Sequence, residues 1–150
     1  MVKHDHLIEH FALQVHPNFN IKKAQNVYGC VSNVVGDSSP QCGYAKCSVE
    51  SGSSGNKLAE GEFNSEVDTY FFGIRYFVAE PVIVPKQGGN PDEERDAYLL
   101  GMVHDAAQNR GFLAIFDLQR DLKEGPIGKL WLKSSVPIGI HGCFAAENET

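Results

Sequence analysis

No stretch of this 150-residue chain supplies the roughly 20 consecutive apolar residues that a transmembrane helix needs. The opening ten residues are polar and hold no hydrophobic signal-peptide core. Cysteine is sparse. Cys30, Cys42, Cys47 and Cys143 form no CxxC pair and lack the spacing of a zinc knuckle. They read as reduced thiols in a cytosol-like compartment, each filling the place of a small, buried or half-buried apolar residue. Basic charge is also in short supply. Thirteen Lys and Arg against nineteen Asp and Glu give a net charge of −6 and a pI of about 5.4. Phosphate binding needs a basic surface, so this balance argues against a nucleic-acid partner. An amphipathic helix of convincing length is missing too; His4–Leu13 comes nearest, and its period is poor.

What is present is strand signal. A hydrophobic fraction of 42% is enough for a core, so disorder is not the expectation. Seven segments are rich in β-branched and aromatic residues and are parted by turn-rich spacers. They are Asn26–Ser32, Gly43–Val49, Asp68–Val78, Glu80–Pro85, Ala97–His104, Gly111–Leu118 and Ile127–Leu132. Ser51–Asn56 and Gln87–Glu94 read as loops, and Asp117–Leu122 can hold a turn. No exact repeat is seen, yet the spacing suits nearly two four-stranded units of about 40–50 residues each. We expect Gly43–Val49 to pair near Asn26–Ser32, and Ala97–His104 to pair with Gly111–Leu118, all antiparallel. Two such units cannot close a propeller, so the reading is an incomplete domain over residues 1–150.

Three stretches carry a family resemblance. Val136–Phe144 (VPIGIHGCF) is similar to the Val-Pro-x-Gly-x-His segment near the C-terminus of carotenoid cleavage oxygenases. Ala79–Pro85 (AEPVIVP), its loop and Arg95–Ala106 (RDAYLLGMVHDA) resemble that family's Ser-Glu-Pro segment, acidic loop and following strand, which Leu113–Leu118 continues. Val15–Gly29 is similar to its Val-Asn-Pro segment and the strand after it. The resemblance implies an all-β fold, about two blades from the C-terminal portion of a seven-bladed propeller. It implies an Fe2+ dioxygenase, with four histidines on the iron and three supporting glutamates. Such an enzyme adds O2 across a double bond of an apolar polyene, a carotenoid or apocarotenoid, and releases two carbonyl products. Three of the histidines and one glutamate would lie upstream of Met1, so this chain alone is expected to be inactive. Any peripheral membrane contact would come through the missing segments.

On that resemblance His141 is an iron ligand and Glu80 the carboxylate that supports a ligand imidazole. Gly139 and Gly142 flank His141 and permit close backbone approach, while Pro137 stiffens the entry. Taken alone, a single histidine in an apolar segment reads instead as one satisfied by a backbone carbonyl. Glu80 lies in an apolar run, where a carboxylate is costly unless paired; the plain alternative is a solvated strand entry. The other glutamate position of the family falls on Phe11, with Glu9 two residues away. Glu62-Phe63-Asn64 looks like the missing motif in the wrong place. His4, His6 and His10 could bind a metal adventitiously, His16 suits a turn and His104 the surface. Tyr70, Phe71, Phe72, Tyr76 and Phe77 read as core before tunnel lining, and Trp131 as core. The competing function is a non-catalytic propeller remnant or binding module, which upstream sequence with three further histidines would exclude.

Overall fold

The structure, a computed structural model, describes residues 11–19, 24–33, 41–50, 64–134, 136 and 139. Among the described residues, nine strands form two antiparallel sheets. The first sheet runs β1 (Phe11–Gln14), β2 (Asn26–Asn33), β3 (Gln41–Glu50) and β4 (Asn64–Ile74) in order. The second holds β5 (Tyr76–Val78), β6 (Val82–Pro85), β7 (Ala97–Asp105), β8 (Arg110–Asp117) and β9 (Gly128–Trp131). Here β5 and β6 pair with successive parts of β7, so they make one interrupted row and the sheet has four rows. The expected pairings are both present: Cys30 faces Tyr44 across β2 and β3, and Leu100 faces Ile115 across β7 and β8.

The core is made by alternation. Along β7 every odd residue from Ala97 to Asp105 is buried, and Phe112, Ala114 and Phe116 of β8 share that face. Tyr28 and Tyr44 meet them from the first sheet. Tyr70, Phe72 and Tyr76 pack around this cluster, with Tyr44 and Phe116 edge-on at 5.9 Å between ring centroids. Tyr70, Phe72 and Tyr76 are therefore core, as expected; Phe71 is half-buried and does not join the cluster, and Phe77 is 41% exposed on the other face.

The run from Asp68 to Val78 is not one strand. Gly73 and Arg75 both have positive φ, +103° and +69°, and the chain leaves the first sheet there and enters the second. β1 falls where only a poor helical pattern was legible. Trp131 also departs from expectation. It sits on β9, an edge strand with no further neighbour among the described residues, and is 41% exposed. Its ring lies 4.7 Å from that of Phe112, with the Arg110 guanidinium over it at 5.2 Å. His104, expected on the surface, is half-buried on an interior strand, and its Nδ1 is buried without a hydrogen-bond partner.

Several polar contacts tie the sheets together. The Asp68 carboxylate of β4 accepts the Leu122 and Lys123 amides at 2.5 and 3.2 Å, capping a 3-10 turn at Leu122–Glu124. The buried Glu94 accepts three hydrogen bonds, from the Gln25 amide and from the Asn26 amide and side chain, at 2.9–3.0 Å. A carboxylate so enclosed needs this many donors. It pins the loop before β7 to the start of β2.

Candidate functional site

Glu80 stands at the interruption between β5 and β6. Val78 faces Val103 and Val82 faces Leu100, so three residues, Ala79, Glu80 and Pro81, span the two positions Gly101 and Met102. This is a bulge. It reverses the alternation of the row: Tyr76 and Val78 lie on the core side before it, and Ile83 lies there after it. Pro81 offers no N–H to the ladder, which suits such a break. Ala79 keeps one ladder bond, its amide to the Met102 carbonyl at 2.9 Å.

Three side chains of the first sheet close on this bulge. The Gln14 amide donates to Glu80 Oε1 at 2.6 Å. The Tyr44 hydroxyl and the Cys30 thiol both donate to the Ala79 carbonyl, at 3.1 and 3.2 Å. Tyr44 reaches it only because residue 101 is glycine. A Cβ at Gly101 would stand 2.0 Å from the Tyr44 hydroxyl oxygen. Burial, then the nearby Glu80 and Cys42, push the Cys30 thiol up to about 12. Cys30 is thus a neutral donor, in keeping with its reading as a reduced, half-buried thiol. Burial also raises Cys42, against the pull of a backbone contact at Val78.

Gln14 owes its aim to a second bulge. Phe11 faces Cys30 and Gln14 faces Tyr28, so β1 advances three residues while β2 advances two. Without the extra residue, position 13 would oppose Tyr28, and Gln14 would turn to the other face. Nothing in the sequence singled out Gln14, since its role depends on a register shift that no composition signal marks. Cys30 and Tyr44 were legible as strand residues but not as partners of Ala79.

Of the two residues singled out for iron chemistry, Glu80 is placed, half-buried and hydrogen-bonded across the sheets. His141 lies outside the described residues, as do Glu9, Glu62, His4, His6, His10 and Cys143. Among the described residues no three His, Cys, Asp or Glu side chains converge to hold a metal ion. A carboxylate can accept about four hydrogen bonds, so the bond from the Gln14 amide does not by itself bar Glu80 from holding a ring N–H as well. His16 is a turn residue as expected, its Nδ1 accepting the Asn18 amide at 3.2 Å, but it is buried beside Phe19.

The sequence profile of the retinal pigment epithelial membrane protein family matches residues 10–146. Resveratrol cleavage oxygenase 1 of Chaetomium globosum is 35% identical over 95 residues, 63% of this chain and 15% of that protein. The chloroplastic 9-cis-epoxycarotenoid dioxygenase of Arabidopsis thaliana is 30% identical over 129 residues, 85% of this chain and 18% of that one. In three dimensions a mutant of the Synechocystis apocarotenoid oxygenase superposes with a TM-score of 0.65 at 26% identity. That match covers 88% of this chain and 24% of the solved one. The chain thus spans under a fifth of the length of these curated relatives.

Proposed function

The chain belongs to the carotenoid cleavage oxygenase family, and from that footing we propose that it is the C-terminal part of an Fe2+-dependent dioxygenase. The substrate would be a carotenoid or apocarotenoid. One carbon–carbon double bond is cleaved, and each carbon takes one oxygen atom of O2, giving two carbonyl products. A ferrous ion supplies the activation of O2. His141 is one of its ligands, and Glu80 accepts the other ring N–H of a ligand imidazole, which orients the ring and offsets the metal's charge. The remaining ligands are outside this chain, which is inactive by itself.

The observation that carries this reading is the setting of Glu80. The carboxylate sits at the one break in the β5–β6 row, held from the neighbouring sheet, in the segment that resembles the family's Glu-Pro motif. The outer faces support the propeller assignment. Leu100, Met102, Leu113, Ile115 and Leu130 share the side of the second sheet away from the core. Val27, Cys47 and Val67 align on the far side of the first. Sheets apolar on both faces belong to a stack of further layers.

The test is product analysis of the full-length protein with an apocarotenoid under 18O2. One labelled oxygen in each of two carbonyl products is expected after short incubation. Label in one product alone, or no cleavage of any polyene or stilbene, would overturn the reading.

A further inference from the structure

We propose that Gln14 is a positioning residue for Glu80, acting through the amide-to-carboxylate bond that crosses between the sheets. The inference rests on the reading of Glu80 above. Three observations converge on it. The bond is short, 2.6 Å, and part-buried, and it joins residues 66 apart in sequence. Both ends stand at bulges, one in β1 and one between β5 and β6, and each bulge is what turns its side chain toward the other. The backbone behind the carboxylate is fixed as well, because Tyr44 and Cys30 hold the Ala79 carbonyl. Glu80 is therefore anchored at its main chain and at one carboxylate oxygen.

The chemistry of the donor matters. A lysine or arginine in place of Gln14 would bring a full positive charge toward the ferrous ion that Glu80 is read to support. A neutral amide orients the carboxylate and leaves its negative charge available to offset the metal. The two bulges thus couple the first sheet to the orientation of a group in the second, with no ligand atom contributed by Gln14 itself.

The experiment uses the full-length protein with Gln14→Met, Gln14→Lys, Glu80→Gln and the Gln14→Met/Glu80→Gln double variant. Iron retained after a fixed chelator challenge is measured beside kcat, KM and the thermal midpoint. Gln14→Met, similar in volume and without the donor, should retain iron about 10-fold less well, with kcat reduced and KM unchanged. Gln14→Lys, which keeps an N–H donor but brings a positive charge toward the metal, should recover part of the retention that Gln14→Met loses and stay below the unsubstituted protein. In the Glu80→Gln background, Gln14→Met should change retention by less than about 2-fold, because coupled residues are non-additive. Normal retention in Gln14→Met beside loss in Glu80→Gln would overturn this inference alone. Normal retention in both would overturn the reading of Glu80. Failure of Gln14→Met to fold, with Gln14→Lys folded but unable to retain iron, would make Gln14 a structural residue and overturn the inference too.

Discussion

His16 shows how much a single side chain reports on its surroundings. It is 1% exposed, and burial lowers its pKa below the ordinary 6.5, against the pull of Glu94 and Asp96. The fold therefore holds the neutral ring, while the unfolded chain takes up a proton first. The stability it contributes is present above pH 6.5 and is lost as pH falls through the folded value. Denaturant midpoints should drop between neutral pH and the acid side of 6.5, and His16→Gln should flatten that part of the profile; equal slopes in both proteins would contradict this. Tyr44 and Gly101 give a second test. Adding a methyl group at Gly101 drives it into the fully buried Tyr44 ring. Gly101→Ala should cost about 1–3 kcal/mol by denaturant unfolding. Tyr44→Phe should cost about 1 kcal/mol, the worth of its bond to the Ala79 carbonyl. At this scale the sequence marked Glu80 by its apolar neighbours and His16 by its place in the segment that resembles the family's Val-Asn-Pro. It could not mark Gln14, Tyr44 or Glu94, whose roles arise from which strand edges meet.

Between β4 and β5 a single residue, Arg75, carries the chain from one sheet to the other. Its positive φ is uncommon for a residue with a Cβ, and Gly73 nearby is in the same half of the map. Gly73→Ala should lower stability by about 1 kcal/mol or more, whereas Arg75→Gly should be neutral or stabilising; the reverse order in thermal unfolding would show that the break is not held by these dihedrals. The break was hidden in the sequence because aromatic residues continue through it, and β-propensity cannot tell one strand from two that share a linear run. The interior strands β2, β3, β7 and β8 were legible, since each is paired along both edges and carries β-branched and aromatic residues through its length. β1 was not, because its four residues fall within a segment of mixed polarity. Trp131 misled in the other direction. A large aromatic reads as core, but on edge strand β9 it stays half in water.

Among the described residues, two packed sheets keep apolar outward sides, with Leu130 and Val67 exposed by 58% and 52%. A 150-residue polypeptide of this sequence should therefore self-associate at concentrations where the full-length protein does not. Sedimentation of both should show it, and a monodisperse monomer for the short chain would count against the stack of further layers. The same short chain should bind ferrous iron no better than an exposed histidine does. The family resemblance was legible because its motifs carry distinctive residues, a proline after Glu80 and glycines beside His141 in the sequence. The most direct test of the account is the iron content of purified full-length His141→Ala protein, measured beside Glu80→Gln and the unsubstituted enzyme. The account predicts one iron per unsubstituted protomer, none in His141→Ala, and affinity weakened about 10–100-fold in Glu80→Gln. Stoichiometric iron in His141→Ala would contradict it.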